Sequence, residues 1–310
     1  MAIHTQGTIA LVVTGVFAVL AFIALGLRVY VKLAITRVFG WNDVGMGVAW
    51  VAYMVLGGLL LMGVTGGIGG HTSQSNVEGI TQVLKAIWFL EIVYVILTSV
   101  MKASIAVTMM RWTSSRVLRL LFWGSIAMDF TISAVFALYV VFQCQPISYA
   151  WNMLNPKMKG KCLPFQGQLY MGLALCAVTF TLDILLMTSP WVMMKGKGLN
   201  KILKRYIYGI FSLGIAATIA NIIRLFALLK LQKSSDQLYD AAPVFSWSAV
   251  EVSIGLIIAG LIELGPLMAR LGFPGFDMYS RFATLGDEDT LKLQQMPSMD
   301  KGSITVTGPA

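Results

Sequence analysis

Seven runs of about 20 or more mostly apolar residues recur along this chain. A run of that length is what a helix needs to cross the roughly 30 Å hydrocarbon core of a bilayer. The runs fall near 8–31, 44–65, 86–110, 120–142, 168–194, 206–229 and 245–269. None alternates apolar and polar residues as a half-buried strand does. Hydrocarbon offers no water to backbone amides, so each segment must satisfy its own N–H groups, and a helix does this. The pattern predicts an all-α, polytopic membrane protein, a seven-transmembrane-helix bundle. Composition agrees: of 310 residues, 57% are apolar and 12% charged, against about 45–50% and about 25% in a soluble domain. A water-soluble enzyme and a disordered chain are excluded. The first run is too long for a signal-peptide core and has no basic segment before it, so it is expected to stay as a mature span.

Lys and Arg set the orientation, because cytoplasmic loops carry the excess. One side holds Arg28, Lys32, Arg37, Arg111, Arg116, Arg119, Lys195, Lys197, Lys201, Lys204 and Arg205. The other holds Lys85, Lys157, Lys159, Lys161, Lys230 and Lys233. The richer side is taken as cytoplasmic, which puts the N-terminus outside and the C-terminus inside. The sequence pI near 9.5 then reflects this bias and attraction to anionic lipid; nucleic acid is not an expected partner. The transmembrane domain is expected over 1–275, and the polar stretch 276–310 reads as a disordered cytoplasmic tail. The protein is expected in the plasma membrane or an endomembrane.

Cys144 and Cys162 fall in the long loop after the fourth run, on the outer, oxidising side, where a disulfide is expected. Closing a loop of about 15–20 residues is worth roughly 3 kcal/mol in the chain-entropy model. The same loop carries Pro146, Trp151, Pro156 and Pro164 and reads as a structured lid. Cys176, inside the fifth run, reads as an apolar filler. Two histidines, His4 and His71, do not make a His-rich zinc site. The run Gly66-Gly67-Ile68-Gly69-Gly70-His71 follows a membrane helix rather than a strand, so it reads as a flexible turn and not a phosphate loop. His71 is placed to cap an outer pocket. No Asn-x-Ser/Thr acceptor occurs.

Six ionisable residues lie well within the runs: Glu91, Lys102, Asp129, Asp183, Arg224 and Glu251, whereas Arg28, Asp43 and Glu263 sit nearer the cytoplasmic ends. A mid-helix charge costs roughly 2.5–3.5 kcal/mol on insertion scales. They are therefore expected to face the interior, paired, protonated or hydrated. Glu91, Arg224 and Glu251 fall near one plane, roughly 7–9 Å below the outer surface at 1.5 Å per residue. Asn221 lies one turn from Arg224 and Trp247 one turn from Glu251. With Tyr94 they compose an expected ligand-binding pocket open to the outside, and Glu91 and Glu251 are candidate acid catalysts. Thr98, Lys102, Asp129 and Asp183 read as a polar relay toward the cytoplasmic half; Glu91, Tyr94, Thr98 and Lys102 share one face of the third helix. Ser212, Ala216 and Ala220 form a small-residue packing ladder on the sixth helix. Gly255 and Gly260 thin the seventh, and Pro190 and Pro266 are expected to end helices.

The ensemble resembles the fungal rhodopsin-domain family of seven-helix integral membrane proteins, the satratoxin-cluster membrane-protein family. The residues that carry the likeness are Arg28, Trp41-Asn42-Asp43, the glycine run ending at His71, Lys102, Ser104, Arg111, Cys144, Pro146, Trp151, Cys162, Asp183, Pro190, Arg224, Glu251 and Pro266. Asn42 stands where many relatives carry a second acid. The cysteine-rich extracellular domain of the receptor-like members is expected to be absent, since about seven residues precede the first helix. The resemblance covers about 1–275 and implies a place in a secondary-metabolite gene cluster. The stretch Phe245 to Met268 contains no lysine for a Schiff base, so retinal is not expected, nor any other cofactor or metal. Three functions follow, in order: a receptor-like protein binding a small apolar or amphipathic ligand and signalling to a cytoplasmic partner; an integral-membrane cyclase or isomerase using a buried acid; and a proton-relaying transporter.

Overall fold

The computed structural model describes residues 5–37, 39–71, 76–113, 115–194, 201–274 and 276. Its helices are α1 (Thr5–Tyr30, continued by a π-helical stretch over Val31–Thr36), α2 (Trp41–Gly66), α3 (Val77–Trp112) and α4 (Arg116–Phe142). After these come β1 (Cys144–Gln145), α5 (Tyr149–Asn152), β2 (Lys161–Cys162), α6 (Phe165–Met194), α7 (Lys201–Lys233), α8 (Gln237–Ile262) and α9 (Gly265–Arg270). Seven of these helices are long and apolar enough to cross a membrane, as the apolar runs predict. Consecutive spans pack side by side, and α1 closes the ring on α8. In α8, 61% of the apolar window is buried, against 17–39% in the other six, so α8 is the central helix. Large apolar side chains such as Val12, Val19, Phe22 and Leu120 project outward, the pattern hydrocarbon tolerates.

The helices outrun their apolar stretches. α3 begins at Val77 rather than near 86, and α8 at Gln237 rather than near 245. Hydropathy marks where a helix meets hydrocarbon, whereas the backbone ladder continues wherever tertiary contacts hold it. In α3 the added turns are tied down by Gln82, whose Nε2 donates to Met62 O at 2.8 Å and Thr65 Oγ1 at 3.0 Å. In α8, Leu238, Ala241 and Ala242 are buried. Pro190 lies inside α6, which runs on to Met194, so it does not terminate the helix as expected; Pro266 instead sits in the first turn of α9.

Cys144 and Cys162 face each other in the β1–β2 hairpin and are disulfide-bonded. Trp151 of this lid meets Trp88 of α3 edge-on at 5.4 Å, and Trp88 Nε1 donates to Val140 O at 3.0 Å. The glycine turn after α2 is docked rather than flexible. Ile68 is fully buried, Gly69 N donates to Leu238 O at 2.9 Å, and Gly69 takes a φ of 84°, open to glycine at no steric cost. His71 lies 2.6 Å from Asp236 and stacks on Tyr239, tying the turn after α2 to the start of α8. The tail expected from 276 lies, apart from Phe276, outside the described residues; Phe276 is buried against Tyr206.

The proposed Ser212–Ala216–Ala220 ladder is not a packing seam, because Ser212 and Ala216 are exposed. Close helix approach occurs elsewhere, at Gly260 of α8 against Ala24 of α1. A methyl group at 260 would fall 2.7 Å from Ala24 O and 2.8 Å from its Cβ. Gly260→Ala is therefore expected to push α1 off α8 and destabilise the bundle by about 1–3 kcal/mol, the usual overpacking cost. Unfolding in mixed detergent measures it, and an unchanged midpoint would refute the contact.

Candidate functional site

Four spans bring charged side chains to one buried point. On α3, Tyr94 and Lys102 are eight residues apart, about 12 Å along the axis, and share a face. On α6, Cys176, Thr179 and Asp183 repeat at three and four residues, again on one face. Asn221 and Arg224 are one turn apart on α7, and Glu251 sits mid-way along α8. The Lys102 Nζ lies 2.8 Å from Asp183 Oδ1 and 3.8 Å from Glu251 Oε1, and donates to Thr179 O at 3.5 Å. Arg224 Nε lies 3.2 Å from Glu251 Oε2 but is not aligned to donate to it, so the pair is held by charge rather than by a directed hydrogen bond. Its Nη2 donates to Asn221 Oδ1 at 3.2 Å and to Cys176 Sγ at 3.3 Å, and its guanidinium stands 5.1 Å over the Tyr94 ring.

Glu251 is the hub. Tyr94 Oη donates to its Oε2 at 2.9 Å, and Asn221 Nδ2 donates to its Oε1 at 3.1 Å. Asn221 also reaches Asp183 Oδ2 at 3.5 Å. Lys102, Glu251 and Asn221 are each 3% exposed and Arg224 8%. Two cations face two carboxylates at close range, where unpaired ions would be prohibitive, and the buried Asp129 of α4 also acts on Lys102.

Tyr94, Asn221, Arg224 and Glu251 of the expected outer pocket and Lys102 and Asp183 of the expected relay thus form one cluster. Glu91 does not join Arg224 and Glu251; both its oxygens accept from Gln168 Nε2 of α6, each at 2.9 Å. Thr98 turns back on its own helix, donating to Tyr94 O and Val95 O. Asp129 is 1% exposed and stands beside Ser99, with no hydrogen-bond partner for Oδ1 among the described residues. Trp247 is half-buried one turn away and makes no polar or ring contact with the cluster among the described residues. Cys176, read as filler, touches Arg224; Gln168 gave no signal in sequence, being an unremarkable amide near a helix start.

A cavity of about 80 Å³ abuts the cluster, with Lys102, Asp183 and Glu251 at one end. Its walls include Met101, Ile105, Leu186, Phe211, Ile258 and Ile262. Apart from Met101, which directly precedes Lys102, these residues follow the cluster on α3, α6 and α8 and precede it on α7, so this cavity runs away from the disulfide hairpin. The expected pocket opens toward the hairpin face; this cavity lies in the opposite half. On the hairpin side the cluster is closed by Tyr94, with its ring beneath Arg224.

A second ionic cluster lies at the opposite face. Arg28 donates from Nε and Nη2 to Asp43 Oδ1 at 2.9 and 2.7 Å, and from Nη1 to Ala259 O at 2.6 Å. Glu263 lies 3.6 Å from Arg28 and 3.0 Å from Lys32. All four residues are at most 7% exposed. Arg28 and Lys32, counted among the cations of the basic side, are thus buried in an ion cluster; their spacing of four puts both on one helix face. Asn42 beside them donates to Thr108 Oγ1 at 3.0 Å.

The fold and its buried ion clusters define a multi-pass integral membrane protein with seven transmembrane helices. Residues 27–270 match the model of the fungal rhodopsin domain, and the chain belongs to that family. It is 22% identical over 304 residues, 94% of this chain and 82% of the relative, to the polyenoic acids biosynthesis gene cluster protein Ba17b of Metarhizium anisopliae. No solved structure matches it.

Proposed function

We propose that this chain is a receptor-like protein of a secondary-metabolite gene cluster that binds a small, partly apolar ligand in the cavity ending at Lys102, Asp183 and Glu251. The observation that carries the reading is that cavity: apolar walls with a few convergent polar groups at one end are the usual make-up of a small-molecule site. The relative's cluster makes polyenoic acids by its name, and a long unsaturated chain with one polar end has the chemistry the cavity asks for. The reading places the hairpin face outside. Arg111, Arg116, Arg119, Lys201, Lys204 and Arg205 are then exposed on the cytoplasmic side for a signalling partner. Retinal stays out of the proposal, since α8 has no lysine.

The enzyme alternative is less well supported. A general acid needs an oxygen free to meet substrate. Glu251 has both oxygens engaged by Tyr94, Asn221 and the two cations, and Glu91 has both on Gln168. The test is thermal unfolding of the purified protein with a panel of long-chain polyenoic acids and the matching alcohols. A ligand at 100 times its Kd stabilises by about 2.7 kcal/mol. The expected result is a raised midpoint in wild type that Lys102→Met and Glu251→Gln abolish. No shift with any member of the panel, or a shift that both variants keep, counts against the site.

A further inference from the structure

The cavity beneath the ion cluster borders a second space. It shares two residues, Pro190 of α6 and Phe211 of α7, with a groove of about 240 Å³ that also involves Thr188, Trp191, Ile207 and Tyr208. That groove opens between α6 and α7 on the surface the bundle turns to lipid, where Trp191 is 58% and Tyr208 52% exposed. Trp and Tyr at such helix ends sit at the boundary between headgroups and acyl chains. α6 and α7 pack more loosely on each other than α7 does on α8, and α7 lines the cavity with Ile210 and Phe211 and, beside them, the small residues Gly214 and Ala217. Together the two spaces approach the lower end of the roughly 300–1,000 Å³ range of small-molecule pockets.

We propose that the α6–α7 seam is a side route from the bilayer, used by a membrane-dissolved amphiphile: a long hydrocarbon chain ending in one uncharged hydrogen-bond donor, a hydroxyl or a protonated carboxyl. This rests on the binding reading above and names its ligand class and route. The polar end meets the carboxylate of Asp183, the more exposed of the two acids (16% against 3% for Glu251), while the chain lies along the apolar cavity and leaves past Pro190 and Phe211 into the groove. An ionised acid would set a further negative charge beside Asp183 and Glu251, at a Lys102 that the buried Asp129 of α4 also faces. On the hairpin side Tyr94 covers the cluster, with its hydroxyl on Glu251 and its ring beneath Arg224.

The seam can be plugged. A Cβ at Gly214 would make ordinary contact with Met187 Cγ at 3.6 Å, so Gly214→Ala fits, whereas Gly214→Phe and Ala217→Phe fill the passage. The probes are hexadecanol and hexadecanoic acid, each with a mid-chain diazirine, photolysed with the full chain in phosphatidylcholine nanodiscs and mapped by peptide mass spectrometry. Met101, Ile105 and Met109 of α3 line the cavity and are 2%, 6% and 8% exposed, so lipid cannot label them from outside. The expected result is labelling at these three that excess unlabelled hexadecanol suppresses. It falls at least tenfold in the plugged variants and persists in Gly214→Ala. If Gly214→Phe gives no monodisperse protein, Ala217→Phe decides alone. Interior labelling that survives plugging overturns the side route and leaves the binding site standing. Wild-type labelling confined to lipid-facing residues such as Trp191 overturns both. The alcohol-to-acid ratio at neutral and acid pH separates the two heads: label from the acid only at low pH supports the uncharged donor, and stronger label from the ionised acid refutes it.

Discussion

Arg28→Met is expected to remove about 3–5 kcal/mol of stability, the size of loss that follows when a buried ion pair is broken by deleting one partner. Arg28 is 1% exposed and makes three hydrogen bonds, two to Asp43 and one to the Ala259 carbonyl, so its loss strands Asp43 and leaves Glu263 with Lys32 alone. Against a typical total of about 5–15 kcal/mol this is a large share. The close approach at Gly260 lets the guanidinium, one turn beyond Ala24, reach the α8 backbone, so the ion cluster and the glycine contact lock α1 to α8 together. Unfolding in mixed detergent measures the loss. The double variant Arg28→Met/Asp43→Leu is expected to recover part of it, because no unpaired carboxylate then remains at position 43. A single-variant loss below about 1 kcal/mol would show that this cluster is not a structural lock.

Glu251→Gln is expected to cost a similar amount, about 3–5 kcal/mol, and more than Asp183→Asn. Glu251 is the carboxylate nearest Arg224 and also faces Lys102, so its neutralisation leaves Arg224 without an acidic partner in the cluster. Asp183→Asn leaves Lys102 beside Glu251, and the Asp183 side chain is 16% exposed against 3% for Glu251. The order of the two losses, read from paired unfolding curves, tests whether Glu251 is the hub. Equal losses, or a larger one for Asp183→Asn, would move that role to Asp183.

Several site residues were legible in the chain because their signal is local. Glu91, Lys102, Asp129, Asp183, Arg224 and Glu251 stand out as charges in apolar runs, and Tyr94 and Lys102 share a helix face by spacing alone. Sorting by depth did not show which residues meet. It put Glu251 with Arg224 in an outer set and Lys102 with Asp183 in an inner one, although the four form one cluster. Glu91 was grouped with Arg224 by depth, but its side chain turns toward Gln168 on another helix. Arg28 and Lys32 counted toward the basic side of the bundle, although they are buried against Asp43 and Glu263.

The sequence by itself determined the seven crossings, the helical class and the lid disulfide, since each follows from a run length or from which side of the bilayer two cysteines share. It also determined that charges must be buried. Which charges meet was decided only by the tertiary structure. Glu251 and Tyr94 are 157 residues apart, and their contact depends on the rotation of α8 and α3 about their axes. That rotation is set by packing such as Gly260 on Ala24, and no periodicity within a single helix encodes the azimuth of its neighbour.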